Sequence, residues 1–261
     1  MVRKIIDISV PLMSGIASDP KGYEPKITYL DHKTTAVGMA SFFDGMRPDQ
    51  FPGGEGWAIE MLEMSTHVGT HLDAPYHHHS TMDGGKRAIT IDEVPLDWCF
   101  QPAVKLDFRH LPDGYVATPG DVEAELKRIG HDLRPLEIVV VNTAAGGRYG
   151  EDDYIDRGCG MGRDATNWLT ERGVRITGTD GWSWDAPFSH TAKAWAETRN
   201  PALIWEGHRA SMDRGYCHIE KLANLDRLPD HGFEISCFPF NIKGASAGFV
   251  RAVAILTDER I

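Results

Sequence analysis

Residues 65–77 read STHVGTHLDAPYH, a segment in which three histidines and one aspartate recur at short intervals. Imidazole and carboxylate groups are common ligands of zinc, manganese and iron. Gly69 and Pro75 argue against a helix here, and four fully extended residues would span roughly 13 Å. We therefore expect the chain to bend near Gly69, so that the imidazoles of His67 and His71 can approach one ion.

The carboxylate of Asp73 extends this pattern. Because side chains two residues apart lie on the same side of an extended strand, His71 and Asp73 are expected to point the same way. His77 lies four residues after Asp73, an even spacing that would also place it on this side of an extended chain, and Pro75 lies between the two. The adjacent His78 and His79 are interpreted as supporting or solvated residues. A chance cluster of histidines is the alternative, and the combined spacing makes it the weaker interpretation.

A hydrolytic metal site also needs a ligand from elsewhere in the chain and an open position for water. The best candidates lie in residues 205–226, WEGHRASMDRGYCHIEKLANLD. From residue type alone, His208 and Glu220 are no better than His218 or Glu206. The pattern therefore leaves these four residues as alternatives.

Composition restricts the class of protein. The chain has 261 residues, 27 basic and 38 acidic side chains, a net charge of −11 and 41 % hydrophobic residues. These values are ordinary for a globular protein and favour a single domain over residues 1–261.

We expect no membrane span, because no run of about 18 apolar residues occurs. We expect no nucleic-acid partner, because the net charge is negative and phosphate contacts need clustered Lys and Arg. Four scattered cysteines without a secretion signal predict a cytoplasmic protein with reduced thiols.

Strand and helix patterns alternate along the chain, which predicts an α/β fold around a mixed sheet. One helix is predicted from a Thr118-Pro119 cap to Gly130, and another over residues 164–172. The predicted strands are residues 2–10, 104–108, 136–141, 174–179, 235–240 and 249–256. Residues 11–57 are rich in Gly, Pro and Asp and are predicted to form an extended arm or long loops.

The pattern His67-x-Gly69-Thr70-His71-x-Asp73-x-Pro75-x-His77 resembles the HxGTHxDxPxH signature of the cyclase-like metal-dependent hydrolases. This family includes kynurenine formamidase, isatin hydrolase and manganese-dependent dienelactone hydrolase. Further similarities are an opening strand at residues 5–9, a GxDxxSxD region at 178–185, an ExLxNLD segment at 220–226 and a closing hairpin that contains Pro239 and Arg251. The resemblance covers most of the chain.

The resemblance implies a swivelling β/β/α cyclase-like fold and a metal-dependent hydrolase assembled as a homodimer or homotetramer. In the family, the two histidines and the aspartate of the signature bind metal, and here they are His67, His71 and Asp73. The resemblance further implies that the aspartate can bridge to a second ion held by His208 and Glu220. One or two divalent ions, zinc or manganese, are therefore expected per subunit.

The implied reaction is hydrolysis of a cyclic amide, imide or lactone, or of an N-formyl amide, in a small aromatic or cyclic substrate. The resemblance assigns His77 as the general acid and base that carries a proton between water and the leaving group. Phe43, Trp57 and Trp184 are candidate substrate contacts, because aromatic residues beside polar ones suit a cyclic substrate. Kynurenine formamidases carry a Trp-Pro pair in the N-terminal loop, where this chain reads Ala17-Ser18-Asp19-Pro20.

Other functions stay open. A metal-dependent cyclase or lyase on the same scaffold would not add water to its substrate. A non-catalytic metal-binding protein would saturate its site with protein ligands. A cysteine hydrolase could use Cys159, which lies near the start of a predicted helix, where the pKa of a thiol can fall.

Overall fold

The computed structural model describes residues 3–257. Within this range the α-helices are α1 His32–Ala40, α2 Pro75–His78, α3 Pro119–Ile129, α4 Arg163–Glu171, α5 Phe188–Thr198 and α6 Glu206–Arg209. The strands are β1 Arg3–Asp7, β2 Lys26–Leu30, β3 Ile59–Glu63, β4 His71–Asp73, β5 Thr81–Met82, β6 Lys86–Arg87, β7 Phe100–Asp107, β8 Val116–Ala117, β9 Ile138–Asn142, β10 Gly160–Met161, β11 Ile176–Thr179, β12 Cys217–Glu220, β13 His231–Ser236, β14 Ala247–Phe249 and β15 Val253–Thr257. None of the helices in residues 3–257 has the length and apolar character that a membrane span requires.

Nine of these strands form one mixed sheet in the order β1-β15-β13-β7-β9-β11-β12-β4-β14. The consecutive strands β7, β9, β11 and β12 are parallel to one another. The strands that flank them on both sides pair antiparallel. Parallel neighbours need crossover connections, and α3 and α4 lie in the first two of these crossovers. The predicted α/β fold around a mixed sheet is confirmed.

The central strands are buried on both faces. Every residue of β9 is buried, and its side chains alternate between two hydrophobic clusters. Ile138 and Val140 belong to one cluster, whereas Val139 and Val141 belong to the other. A strand covered on both faces explains why this part of the sequence is apolar without alternation.

The helix α3 begins and ends where the sequence predicts. The side chain of Thr118 accepts a hydrogen bond from the backbone N–H of Asp121, and the Asp121 carboxylate accepts one from the backbone N–H of Thr118. Gly130 ends the helix with a φ of 66°, a left-handed conformation that favours glycine. The local capping signals were therefore sufficient for this element.

The interpretation of residues 11–57 as loops is wrong in part. The strand β2 and the helix α1 form in this range, and β2 pairs with β3 in a two-stranded ribbon outside the main sheet. Asp31 caps α1 by accepting from the N–H of Thr34. The sequence of α1, HKTTAVGMA, has no apolar stripe at helical spacing, so periodicity could not reveal it.

The C-terminal strands also differ from the prediction. The strand predicted over residues 235–240 lies earlier, as β13, and the strand predicted over 249–256 is divided into β14 and β15 by residues 250–252. The division arises because β14 pairs with β4 and β15 pairs with β1 and β13, which are far apart in the sheet. The strand predicted over residues 2–10 is shorter in the structure: β1 covers residues 3–7, residues 8–10 follow it outside the strand, and residue 2 lies outside the described residues.

Candidate metal centre

The strands β4 and β12 bring four ligand-type side chains to one face of the main sheet. They pair antiparallel, with His218 opposite Asp73 and Glu220 opposite His71. Residues directly opposite each other project to the same face, and the residues between them project to the other. The two intervening residues are apolar and lie in the hydrophobic core. The register of the sheet therefore collects the four polar side chains.

The expected bend at Gly69 is present. Gly69 has a φ of +64°, which favours glycine. The hydroxyl of Thr70 donates to the carbonyl of Lys221 and accepts from a backbone N–H of the N-terminal segment, and these bonds fix the bend. The chain before the bend returns toward β4, so that Nδ1 of His67 lies 2.9 Å from Oδ1 of Asp73.

The more buried of two ligand groups consists of Asp73, His208, His218 and Glu220, whose ligand atoms all lie within 4.8 Å of one another. The Nε2 of His218 is 3.2 Å from Oδ2 of Asp73 and 3.3 Å from Oε1 of Glu220. The Nε2 of His208, on α6, is 3.7 Å from the same Glu220 oxygen. His71 approaches this group with its Nε2 3.6 Å from Oε2 of Glu220.

The second group consists of His67, Asp73 and His77 and is less buried. The Nε2 of His77 lies 3.7 Å from Oδ2 of Asp73, and the ring centroids of His67 and His77 are 3.9 Å apart. The Nε2 of His71 is also close, at 3.3 Å from Oδ1 of Asp73. Asp73 belongs to both groups, an arrangement that can hold one ion or two.

Hydrogen bonds on the far side of the rings orient two of the histidines. The Nδ1 of His71 donates to the carbonyl of Gly69 at 2.8 Å, and the Nδ1 of His208 donates to the carboxylate of Asp185. With the proton on Nδ1, the Nε2 of each neutral ring keeps a lone pair that faces the carboxylates. Such outer partners fix the tautomer and raise the basicity of metal ligands.

Several buried polar atoms of the two groups and of the adjacent His71 have no hydrogen-bond partner among residues 3–257. They are both carboxylate oxygens of Asp73, Nδ1 of His67, Nε2 of His71 and both ring nitrogens of His218. Unpartnered buried polar atoms are rare in folded proteins. Nitrogen and carboxylate oxygen donors are those that zinc and manganese accept. The residues present therefore fit a divalent metal ion.

The electrostatics of the site favour a cation. Burial alone would raise the pKa of Glu220, yet the adjacent imidazole of His218, with Nε2 3.3 Å from Oε1, lowers it to about 2. Burial alone would lower the pKa of His218, yet Asp73 and Glu220 raise it to about 9. Burial, together with the neighbouring His67 imidazole, lowers the pKa of His77 to about 3 against the field of Asp73. Two buried carboxylates thus attract positive charge, which a divalent ion would supply.

A cavity of about 400 Å³ adjoins both groups and is lined by His67, His77, His208 and Glu220. Four of its other nine lining residues are aromatic, namely Tyr23, Trp182, Phe188 and Trp205. The indole of Trp205 stacks on His208 with 4.3 Å between ring centroids. An apolar pocket with a few convergent polar groups is typical of a site for a small organic molecule.

The cavity does not contain the three aromatic residues predicted to contact the substrate, as judged over residues 3–257. Trp184 is 1 % exposed, and its Nε1 donates to the hydroxyl of Thr166 at 3.0 Å, within the core. Its contribution to the site is a hydrogen bond to a candidate ligand, because its backbone N–H donates to Oε1 of Glu220 at 3.0 Å. Phe43 and Trp57 are exposed residues of the N-terminal arm. The prediction for Trp184 is wrong, because the loop after β11 turns this indole inward.

His78 and His79 differ in their surroundings. His78 is 3 % exposed, and its ring stacks on His218 with 4.7 Å between centroids. This contact is compatible with the predicted supporting role. The Nδ1 of His79 forms a hydrogen bond with the hydroxyl of Thr81 at 2.9 Å and lies outside both ligand groups.

The alternative of a cysteine hydrolase loses its support. Cys159 is 5 % exposed, and burial raises the pKa of its thiol to about 12. An activated thiol has the opposite shift, toward the thiolate. Its position before α4 therefore does not make it a nucleophile.

Two site residues were not singled out from the sequence. His218 was one of four open alternatives. It lies two residues before Glu220, the same spacing from which His71 and Asp73 were expected to point to one side of a strand. Asp185 lies in the GxDxxSxD region, but only the fold shows that it orients His208. Its carboxylate also accepts from the backbone N–H groups of Gly207 at 2.7 Å and His208 at 3.0 Å.

A larger surface cleft of about 960 Å³ lies away from the metal-ligand groups and is lined mainly by residues 130–137 and 231–234. Its His131 donates from Nε2 to Glu137 at 2.9 Å, so both side chains are satisfied. The ligand groups found in residues 3–257 do not include either of them. The smaller cavity is therefore the candidate active site.

Comparisons of this chain with a family model, with related sequences and with solved structures agree with one another. Residues 6–186 match the Cyclase family, which is described as "Putative cyclase". A kynurenine formamidase of Salinibacter ruber is 31 % identical over 193 residues, which cover 74 % of this chain and 77 % of that protein. A kynurenine formamidase of Bacillus cereus is 28 % identical over 251 residues, or 95 % of each chain. A solved isatin hydrolase bound to the product analogue thioisatinate has the same fold, with a TM-score of 0.75 at 18 % identity over 98 % of this chain and 93 % of that chain.

Proposed function

Because the chain belongs to the cyclase-like family of metal-dependent hydrolases, we propose that it hydrolyses the amide bond of a small aromatic or cyclic substrate. N-formyl aromatic amines and isatin-like lactams are the leading substrate classes, since the relatives include kynurenine formamidases and an isatin hydrolase shares the fold. Cyclic imides and lactones are further classes, because their carbonyl groups undergo the same attack by water.

One observation carries the proposal, which is that two metal-ligand groups share Asp73 beside the cavity of about 400 Å³. His208, His218 and Glu220 would complete the buried group and His67 the outer one, and His71 would be a further ligand, since its Nε2 lies 3.3 Å from Oδ1 of Asp73. A bound divalent ion makes water more acidic and polarises a substrate carbonyl. Ligands that are all nitrogen or oxygen suit zinc or manganese, in one or two positions.

His77 is assigned the proton transfer between water and the leaving nitrogen. Its ring lines the cavity, and its Nε2 faces Asp73 at 3.7 Å, beyond hydrogen-bond distance. The edge-to-face contact with Trp205, at 5.0 Å between centroids, holds the ring in place. A general acid and base needs such a position, open to the substrate yet fixed in orientation.

The aromatic wall provides binding and orientation. Trp182 and Phe188 meet edge to face at 5.3 Å between centroids, and with Trp205 they line the cavity together with residues of the ligand groups. A flat ring placed between such side chains gains about 0.5–1.5 kcal/mol per aromatic contact beyond the area that it buries. This favours aromatic substrates over aliphatic ones.

We further propose that the chain assembles as a homodimer or homotetramer. The ribbon of β2 and β3 exposes apolar side chains, among them Tyr29, Met61 and Leu62. Exposed apolar surface of this kind is typical of protein–protein contacts. Light scattering of the purified chain would give the mass of the assembly.

The test of the proposed reaction is a screen of metal-reconstituted protein. Protein stripped by a chelator is reloaded with Zn²⁺ or Mn²⁺ and assayed with N-formyl aromatic amines, isatin-like lactams, cyclic imides and unsaturated lactones. Metal content is measured on the same samples, and the Asp73→Asn variant serves as the control. For the ring substrates, a metal-dependent product that is heavier than the substrate by one water supports the proposal; for the N-formyl amines, metal-dependent release of formate and the free amine supports it. Products whose combined mass equals that of the substrate, with no water taken up, would indicate a cyclase or lyase instead, and turnover that is equal without metal would refute the metal-dependent reaction.

A further inference from the structure

Lys221 is a buried lysine that follows the ligand residue Glu220 and belongs to neither ligand group. Only 1 % of it is exposed. Its ammonium pairs with the carboxylate of Asp19 and donates to the backbone carbonyl of His67 at 3.0 Å. Its φ of 57° is strained for a residue other than glycine. Such strain persists only where the surrounding structure enforces it, often at functional sites.

The backbone of Lys221 joins two further segments. Its N–H donates to the carbonyl of Gly181 at 3.0 Å, and its carbonyl accepts from the hydroxyl of Thr70 at 2.7 Å. Side chain and backbone together connect the N-terminal segment, the bend before β4, the loop after β11 and the end of β12. These are the segments that surround the metal centre.

Asp19, the partner of Lys221, lines the cavity. Its Oδ2 accepts from the hydroxyl of Ser18 at 2.9 Å, and its Oδ1 accepts from Nε1 of Trp182 at 3.4 Å. Trp182 and the adjacent Pro20 also line the cavity. The ion pair therefore lies at the boundary between the core and the substrate-facing wall.

We infer that Lys221 is a positioning residue of the active site, which fixes the cavity wall through Asp19 and a metal ligand through the carbonyl of His67. The inference rests on the proposed function of the cavity. Its physical basis is desolvation, because a buried ammonium is stable only when it is paired and hydrogen-bonded. The ammonium thereby holds its partners at fixed positions, and removal of one partner leaves the other charge buried and unpaired.

The test uses the variants Lys221→Met, Asp19→Asn and their combination, with Lys105→Met as the matched control. Lys105 is 5 % exposed, donates to the carbonyl of Leu228 at 2.7 Å and pairs with Asp230 at 3.6 Å, but it does not line the cavity. Competition with a chromophoric chelator gives the Zn²⁺ affinity of each apo protein without reference to turnover. Hydrolysis of an N-formyl aromatic amine gives KM and kcat, and thermal unfolding gives stability.

Lys221→Met is expected to weaken Zn²⁺ binding about 10- to 100-fold, the effect of losing a group that orients a metal ligand. Asp19→Asn keeps the bond between Lys221 and His67, so its Zn²⁺ affinity is expected to stay close to that of the unmodified protein. Both single variants are expected to raise KM more than they lower kcat. The double variant, which buries no unpaired charge, is expected to fold and to keep the weak Zn²⁺ binding of Lys221→Met.

The inference fails if the folded double variant binds Zn²⁺ as tightly as the unmodified protein, or if Lys221→Met differs from Lys105→Met neither in Zn²⁺ affinity nor in KM. In that case Lys221 is a structural residue only. Failure of the proposed function has a different signature, namely no amide turnover by the unmodified, metal-loaded protein. The Zn²⁺ titrations still decide the role of Lys221 in that event.

Discussion

Replacement of Asp185 by asparagine tests whether a residue outside the ligand groups controls metal affinity. The Oδ2 of Asp185 accepts from both the backbone N–H and the Nδ1 of His208, and its Oδ1 accepts from the N–H of Gly207. The side chain is buried. Asparagine has the same shape but only one acceptor oxygen, so its NH₂ group must face an N–H donor on one side.

The number of lost hydrogen bonds sets the size of the effect. In either orientation of the asparagine amide, at least one N–H of Gly207 or His208 loses its acceptor. A hydrogen bond to a charged acceptor contributes about 1.5–3 kcal/mol. Because about 1.4 kcal/mol corresponds to a factor of ten in a binding constant, Asp185→Asn is expected to bind metal about 10- to 100-fold more weakly. Losses of this size are usual when a partner of a metal-binding histidine is removed.

The assay is a titration of apo Asp185→Asn with Zn²⁺ against a chelator of known affinity, accompanied by thermal unfolding. Asp113→Asn is the control, because Asp113, like Asp185, accepts from both backbone and basic side-chain donors, in its case the N–H of Gly158 and the guanidinium of Arg157. None of these residues belongs to a ligand group within residues 3–257. Equal Zn²⁺ affinities for the two variants would show that the bond to His208 does not control metal binding.

The remaining predictions concern proton transfer, the bend and a helix cap. His77→Ala is expected to retain metal and to lower kcat about 10²- to 10⁴-fold, as for a positioned acid and base, whereas His71→Ala is expected to lose metal. Metal analysis and kinetics on the same samples separate the two, and full activity of His77→Ala would exclude its proposed role. Gly69→Ala is expected to lower the free energy of unfolding by about 1–2 kcal/mol, because its φ is +64° and the new methyl group would lie 3.2 Å from Cδ1 of Leu12. Thr118→Ala should cost about 1 kcal/mol through loss of the α3 cap without change in Zn²⁺ affinity. Urea unfolding measures both losses, and unchanged midpoints would contradict these two predictions.

Elements whose ends are determined by residues close in the sequence were predictable from the sequence. The cap at Thr118 and the left-handed Gly130 define α3 from signals within one turn of each end. The division between β14 and β15 was not predictable, because residues 250–252 show no turn or breaker signal that would interrupt a strand. The pairing partners decide it instead, since the N–H of Val250 donates to the carbonyl of Thr70 while the carbonyl of Ala252 accepts from Ile8.

The site also contains residues that local sequence patterns could predict and residues that only the fold brings together. The first three candidate ligands could be grouped from the sequence, because they lie close together and Gly69 marks the bend between them. Residue types alone left His208, Glu206, His218 and Glu220 as alternatives; the family resemblance selected His208 and Glu220, and only the fold adds His218. Glu206 accepts from the backbone N–H at the start of α4 at 3.1 Å and is in neither ligand group. His218 is placed by the register of β12 against β4, which no local pattern specifies.

That register connects the stability of the core to the arrangement of the site. A slip of one residue between β4 and β12 would turn the side chains of one strand to the opposite face. Asp73 would then enter the apolar cluster that contains Leu72 and Ile219, both fully buried. Burial of an unpaired carboxylate costs several kcal/mol, and the displaced leucine would lose its apolar contacts as well. The apolar face therefore holds the ligand side chains on the cavity face whether or not an ion is bound, so metal binding need only order side chains and not the strands.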